Sequence, residues 1–261
     1  MRLDAARRWP PPVVVRGEGD AVELQPWTWC WTSGCADGVP PEDPTDLGSA
    51  EELVVGFPAD GWDFEAVFRP AGRPCGRAQA VTLEQTAAHE HRASPAGPAG
   101  TYDVDLLGRG PQGDVVVTVR WTTATDGPLP TPSASLAVLA DHDGTVDSYG
   151  VELVLDDLAA TPERAEAEIT VTSAEGRSAV LEPTRSGGEC REEGWVSFTG
   201  PVEQGRRAVV LGTAPFTYDV DLLLDGRRHT ATATWPDDAP GDDGVVDLVL
   251  TPALPALTDE P

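Results

Sequence analysis

The chain has 261 residues and carries 44 acidic side chains against 18 basic ones, all of them Arg, for a net charge of −26. Nucleic-acid binding needs basic clusters that displace phosphate counterions, so this composition excludes a nucleic-acid partner and disfavours anionic lipid surfaces. Cationic partners such as Ca²⁺ or a basic protein remain compatible with it. No apolar run approaches the roughly 18 residues that a membrane-spanning helix needs, so no membrane span is predicted.

Residues 1–12 are charged and proline-rich, and they are predicted to form a flexible leader. They contain no apolar segment of the kind that a signal peptide requires, which indicates a cytoplasmic location if taken literally. The four cysteines, an even number, weakly favour an oxidising compartment instead. The sequence therefore leaves two locations open, the cytoplasm and the cell envelope or extracellular space.

The first predicted domain spans residues 13–122 and consists of short β-type runs separated by turns. A proline- and glycine-rich segment at 36–50 is predicted as a loop. The runs at 101–107 and 115–121 flank the glycine-rich residues 108–113 and predict a β-hairpin. The other runs lie at 13–15, 21–24, 53–57, 63–68 and 80–83.

Residues 123–134 are rich in proline and are predicted to link this domain to a second one at 135–251. A helical turn is predicted near 161–165, where Thr161 is a candidate cap. Residues 252–261 are predicted to form a tail. The β-type runs of the second domain lie at 136–140, 151–155, 167–172, 178–181, 195–198, 216–224, 229–235 and 245–250.

One hexapeptide, Thr-Tyr-Asp-Val-Asp-Leu, occurs at 101–106 and again at 217–222, an offset of 116 residues. Each copy precedes a turn, a second β-type run and a tryptophan, which is Trp121 in the first copy and Trp235 in the second. This repetition indicates one β-domain that is present twice. Several short strands with frequent turns are typical of a β-sandwich.

The segment Pro98–Val104 resembles strand F of immunoglobulin-like domains, in which a tyrosine at the E–F corner stands two residues before a core position. Antibody domains fill that position with cysteine, whereas this chain has Val104 and Val220. The resemblance implies an all-β fold of two tandem immunoglobulin-like β-sandwich domains without the intersheet disulfide. The whole chain is also similar to uncharacterised envelope or secreted proteins of actinobacteria, which implies export and no known activity.

The segment 26–31 contains three tryptophans at alternate positions. Side chains alternate along a strand, so Trp27, Trp29 and Trp31 are expected to share one face. One interpretation places them in the sandwich core or between the domains. The other makes them an exposed platform that stacks on sugar rings or prolines.

The cysteines fall into two couples. Cys30 and Cys35 enclose a turn that is able to bring their sulfurs within bonding distance. Cys75 and Cys190 lie in loops at nearly equivalent positions of the two halves, so they pair with each other or with the members of the first couple. The spacing of the four matches no common zinc pattern.

Two clusters offer potential metal ligands. Asp141, Asp143 and Asp147 lie in an acidic turn that either holds Ca²⁺ or is an ordinary turn between strands. His89 and His91 share a face if they lie on a strand, but their neighbours favour a solvated loop and no third ligand is identifiable.

The sequence contains no Gly-x-Ser-x-Gly, Walker or dinucleotide-binding motif. It therefore predicts a non-catalytic binding or structural protein of the cell envelope or extracellular space, whose partner is an unknown protein or glycan. The alternative is a calcium-assisted carbohydrate-binding or adhesive module that uses the three tryptophans. A third possibility is an enzyme whose acidic loops form a site of an unrecognised kind.

Overall fold

A computed structural model describes residues 9–32, 34–73, 75–137, 150–187, 192–239 and 244–258. The chain forms two compact units, unit 1 ending at Pro130 and unit 2 beginning at Thr131. Each unit consists of two antiparallel sheets that enclose its own hydrophobic core. The chain is therefore a tandem of immunoglobulin-like β-sandwiches, as the sequence predicted. None of the helices in the described ranges is long and apolar enough to cross a membrane.

Unit 1 pairs a β2-β1-β6-β10-β9 sheet with a β4-β3-β12-β11-β7-β8 sheet, and β5 joins β12 in parallel. In immunoglobulin terms β1-β6-β10-β9 is the A-B-E-D sheet and β12-β11-β7 is the G-F-C sheet. The strands are β1 (Val13–Arg16), β2 (Val22–Leu24), β3 (Thr28–Trp31), β4 (Gly34–Ala36), β5 (Thr45–Asp46), β6 (Leu53–Gly56), β7 (Asp63–Pro70), β8 (Gln79–Thr82), β9 (Glu84–Ala87), β10 (Glu90–Ala93), β11 (Gly100–Gly110) and β12 (Gly113–Thr123).

The β11–β12 hairpin is longer than the sequence predicted, because its glycines belong to the strands. Gly110 pairs with Gly113, so the turn contains only Pro111 and Gln112. A Cβ atom at Gly110 would lie 2.5 Å from the Trp62 ring, and one at Gly108 would lie 2.6 Å from the Phe64 ring. These glycines are needed because aromatic rings of the core lie directly against the strand.

Unit 2 pairs a β17-β18-β14-β13-β21 sheet with a β16-β15-β19-β20 sheet. Here β17-β18-β14-β13 is the D-E-B-A order and β16-β15-β19-β20 is the C′-C-F-G order. Its elements are β13 (Ser133–Ala137), β14 (Glu152–Asp156), β15 (Ala165–Thr172), β16 (Ser178–Leu181), β17 (Thr184–Arg185), β18 (Val196–Thr199), α1 (Val202–Val209), β19 (Phe216–Leu224), β20 (Arg227–Trp235) and β21 (Val245–Asp247).

The predicted helical turn near 161–165 is wrong, because Ala165 already begins β15. Thr161 instead accepts a hydrogen bond from the backbone amide of Gly194 through its hydroxyl oxygen at 2.7 Å. The helix found among the described residues of this unit is α1, which lies in the connection between strands E and F. It packs Ala208, which is fully buried, into the core of unit 2.

Both predicted flexible ends contain residues that pack against their units. Pro10 and Pro11 are buried in unit 1. In unit 2 the backbone groups of Thr251 and Thr230 exchange two hydrogen bonds, and the amide of Ala159 donates to the carbonyl of Pro255. The other limits of the predicted leader, linker and tail remain predictions.

Candidate functional site

The repeated hexapeptide forms the centre of strand F in each unit. Its tyrosine, valine and leucine face the core, whereas its two aspartates face outward and bind side chains on strand G. In unit 1 Asp103 accepts a hydrogen bond from Arg120 at 2.8 Å, and Asp105 accepts one from Thr118 at 2.6 Å. Asp105 also pairs with Arg69 on β7.

In unit 2 Asp219 accepts a hydrogen bond from Thr232 at 2.7 Å, and Asp221 pairs with Arg228. Because the same two aspartates brace strands F and G in both units, the repeat is explained by the architecture alone.

The tryptophans that follow the two repeats are not equivalent, although each stands at the end of the second β-type run after its repeat. Trp121 lies directly opposite Tyr102 and is fully buried. In unit 2 the residue opposite Tyr218 is Ala233, and Trp235 lies opposite Phe216. The hairpin of unit 2 has two fewer residue pairs between its tyrosine and its turn than the hairpin of unit 1. Trp235 therefore lies two residues beyond the position opposite Tyr218.

Tyr102 forms the corner that the resemblance to strand F implied, since its hydroxyl donates to the carbonyl of Pro98. Burial, aided by the nearby charge of Asp126, raises the pKa of Tyr102 above its ordinary value. Two residues of the predicted linker, Asp126 and Gly127, are hydrogen-bonded to residues next to this corner. The amide of Ala99 donates to Asp126 at 2.7 Å, and the amide of Gly127 donates to the carbonyl of Gly97 at 2.7 Å.

The three tryptophans of segment 26–31 do not share a face. Trp29 and Trp31 point into the core of unit 1 and are only 9% exposed. Trp31 packs against Phe57 and Trp62, with ring centroids 6.2 and 5.7 Å away. A platform of three exposed rings is therefore absent, and the core interpretation holds for these two residues.

Trp27 lies on the outer surface because strand β3 begins only at Thr28. The chain bends at this point, and the Trp27 amide donates to the carbonyl of Val116 at 3.1 Å. The indole nitrogen donates to the Thr118 hydroxyl oxygen at 3.0 Å. Thr118 faces outward between the core residues Val117 and Val119, so the Trp27 ring is held on the outer face of strand G.

A groove of about 260 Å³ opens beside Trp27. It exists because β3 pairs with β12 up to Val116 and β5 pairs with it again from Val119, which leaves a gap between them. We call it the Trp27 groove. It is lined by Leu24, Gln25, Trp27, Val39, Pro41, Asp43, Thr45, Val117 and Thr118.

The groove combines exposed apolar surface with hydrogen-bonding groups. Val39 is 81% exposed at its rim. The Asp43 side chain is 93% exposed and lies 3.4 Å from Arg120, which also binds Asp103. Trp27 was a predicted site residue, whereas Val39 and Asp43 were missed because they lie in a loop whose sequence carries no periodic signal.

Cys30 and Cys35 form the predicted disulfide, which closes the β3–β4 hairpin. The two residues lie directly opposite each other, with Cα atoms 4.0 Å apart. Cys75 is also disulfide-bonded, and its pairing with either member of this couple is therefore excluded. Cys190 lies outside the described residues.

The histidines that the sequence offered as metal ligands lie in different environments. His91 is on β10 and 2% exposed, with its ring 5.1 Å from that of Phe64, so the solvated-loop prediction is wrong for this residue. His89 is exposed and contacts Asp60 at 2.7 Å. Asp141, Asp143 and Asp147 lie outside the described residues. Within the parts of the chain that are described, no group of three or more potential ligands comes together.

No family model and no curated protein matches the sequence. Among solved structures, the chain is similar to the FN1–FN3 domains of chicken CNTN1, at 13% identity over 83% of this chain and 68% of that one, with a TM-score of 0.22. The assignment of the fold rests on the strand order and registers of the chain itself.

Proposed function

We propose that the protein is a non-catalytic binding protein of the cell envelope or extracellular space, and that the Trp27 groove holds its ligand. The observation that carries this proposal is the fixed position of the Trp27 ring. Its indole nitrogen is bound to Thr118, which is bound in turn to Asp105. A binding surface held by such a chain of hydrogen bonds loses little conformational freedom when a ligand arrives.

The chemistry of the groove favours a carbohydrate ligand. The faces of sugar rings carry C–H groups that pack on an indole, and their hydroxyl groups need hydrogen-bond partners at the edges. Trp27 supplies the aromatic surface, and Asp43, Thr45 and Gln25 supply polar groups. The volume of about 260 Å³ is slightly below the usual range for small-molecule pockets, which suits one or two sugar rings.

The disulfides support a location outside the cytoplasm. Cys30–Cys35 and the bonded Cys75 would be reduced in most cytoplasms, whereas they persist in oxidising compartments. The acidic surface is compatible with that location, because a large net charge keeps a protein soluble.

The test is a titration of the full chain with soluble cell-wall oligosaccharides, in which binding is measured by isothermal titration calorimetry. We expect Trp27→Ala to abolish binding, since it removes the stacking surface. Trp27→Phe should retain part of the affinity, because it keeps an aromatic face but loses the bond to Thr118. Trp29→Ala is unsuitable for this purpose, since it would open a cavity in the core.

The matched control is Trp9→Ala. Trp9 is 60% exposed but packs edge-on against Trp29, with centroids 5.1 Å apart, and it does not line the groove. Its removal should leave glycan binding unchanged. Equal losses in the Trp9 and Trp27 variants, or no binding of any glycan by the folded protein, would contradict the proposal.

A further inference from the structure

Unit 2 carries a larger groove, of about 530 Å³, along strand β15. One wall is the first half of that strand together with Asp221 and Leu223 of β19, and the other is Glu182–Arg185, which follows β16 and includes β17. Strand β16 pairs with β15 only between Ile169 and Thr172. The preceding residues of β15, Ala165–Glu168, therefore form an open sheet edge inside this groove, which we call the β15 edge.

In unit 1 the equivalent stretch of strand C is covered by a neighbouring strand. Ala66 of β7 and Ala167 of β15 are equivalent, because each lies opposite the leucine of the repeated hexapeptide. In unit 1 Ala66 is paired with Val81 on β8, and the amide of Leu83 continues the contact by donating to the carbonyl of Phe64 at 2.8 Å. In the described part of unit 2 Ala165–Glu168 pair with no strand on that side, although β17 comes within 8 Å of β15 measured between Cα atoms.

The backbone groups of the β15 edge point into the groove. The carbonyl of Arg164 accepts a hydrogen bond from the amide of Asp225, so even-numbered residues of β15 bond to β19. The amide of Ser173 donates to Arg177, so odd-numbered residues face the β16 side. Ala165 and Ala167 consequently present amide and carbonyl groups to the groove, where no described residue bonds to them. Such an edge is a template for an added strand.

The surroundings of the edge are acidic. Glu166 and Glu168 are exposed on the outer face of β15, and Glu182 lies on the opposite wall. The only basic residue in the lining is Arg185, whose guanidinium donates to the carbonyl of Pro162 at 3.0 Å. The small apolar side chains of Ala165 and Ala167 are half-buried on the opposite face of the strand, which is the face that carries the buried Ile169.

We propose that the β15 edge binds an extended segment of a basic protein, which adds to the sheet as a short strand. Alternate side chains of such a segment would meet different surfaces, with Lys or Arg above Glu166 and Glu168 and small apolar residues against the two alanines. Four open residues correspond to a length of about 13 Å at about 3.3 Å per residue. A second copy of this chain is a poor partner, because each copy carries a net charge of −26. This surface is independent of the Trp27 groove.

The probe is a fluorescent hexapeptide of alternating lysine and valine, titrated with the full chain and followed by fluorescence polarisation. Ala167→Pro is the decisive variant. It removes an amide that faces the groove and leaves the ladder with β19 intact, and proline is tolerated where an edge amide faces outward. We expect it to weaken binding about tenfold, the effect of losing one good hydrogen bond.

Two further measurements distinguish the contribution of charge to binding from that of strand pairing. The double variant Glu166→Gln/Glu168→Gln should weaken binding and reduce its dependence on salt, whereas Glu65→Gln/Glu84→Gln, an equal charge change on unit 1, should not. A hexapeptide of the same sequence with N-methyl groups on alternate amides keeps the charge but cannot pair, so it should not bind. The methylated peptide tests strand pairing on the wild-type protein, so this test remains valid even if Ala167→Pro fails to fold. Equal binding of the methylated peptide, or no binding of the unmodified one, would overturn the proposal.

Discussion

Units 1 and 2 share the same F–G hairpin but cover the edges of its sheet in different ways. In unit 1 the outer edge of strand G is covered by β3 and β5, which come from the connection between strands A and B. In unit 2 the edge of strand G meets Thr251, beyond β21. Strand C pairs with β8 at its middle, Glu65–Phe68, in unit 1 and with β16 only at its end, Ile169–Thr172, in unit 2. The two units bury the same residues of the repeated hexapeptide, and they differ in the strands that cover the edges of the sheet.

The cores differ as well. Unit 1 is dominated by aromatic residues, and six of the eight tryptophans lie in it, at positions 9, 27, 29, 31, 62 and 121. The core of unit 2 is mainly aliphatic, with leucine at most of the large buried positions. Tryptophan fluorescence therefore reports chiefly on unit 1, which allows the two units to be followed separately against a probe of total secondary structure.

The largest expected effect is the difference in stability between variants of the two tryptophans that follow the repeats, Trp121 and Trp235. Trp121→Ala should destabilise unit 1 by about 3–5 kcal/mol, because it empties a fully buried site and removes the indole bond to the carbonyl of Ala50. Trp235→Ala should cost only about 1 kcal/mol, since this side chain is half-buried. Denaturant unfolding measures both. Equal losses would mean that the register difference has no energetic consequence.

The next effect concerns the β3–β4 hairpin, which has no counterpart among the described residues of unit 2. Replacing Cys30 and Cys35 together by serine should destabilise unit 1 by about 2 kcal/mol, the value that chain entropy gives for so short a loop. Unit 2 should unfold as before.

Intact mass measurement after thiol alkylation, with and without reduction, should find no reactive thiol in the oxidised wild-type protein. Detection of four reactive thiols in the wild type would refute the disulfide and the proposed location together.

A smaller effect is expected from calcium. If Asp141, Asp143 and Asp147 hold Ca²⁺ with the millimolar affinity of extracellular sites, a few millimolar Ca²⁺ should stabilise unit 2 by about 1 kcal/mol. The melting temperature in Ca²⁺ should then exceed that in EDTA, and Asp143→Asn should remove the difference. Unchanged melting in millimolar Ca²⁺ would leave an ordinary acidic turn as the interpretation.

The smallest effect is a pH dependence of the stability of unit 1. Burial lowers the pKa of His91 from 6.5, against opposing contributions from the Trp62 backbone and Asp63. The unfolded chain therefore binds a proton that the folded one does not, so unit 1 should lose stability as the pH falls below about 6.5. His91→Phe should flatten this dependence, whereas His89→Gln, at an exposed position, should leave it in place. Unfolding midpoints between pH 5 and 8 measure the difference.

Much of the fold was predictable because alternation of buried and exposed residues marks strands directly. The strand predictions at 178–181 and 216–224 coincide with β16 and β19. The same rule failed at Trp27, because the strand begins one residue later and the bend reverses the direction of the side chain. It failed at His91 because a polar residue lies in the core. The β15 edge was not predictable, since it depends on where β16 separates from its neighbour.

The order in which the chain is synthesised gives the two units different folding histories. Every strand of unit 1 has been made once Thr123 is in place, because its strand G is also its last strand. In unit 2 the first strand, β13, pairs on one side with β21, so its sheet is incomplete until Asp247 has been added. While the chain emerges from the ribosome, unit 2 therefore exposes an unpaired β13 edge for far longer, and the acidic surface helps to keep this intermediate from self-association.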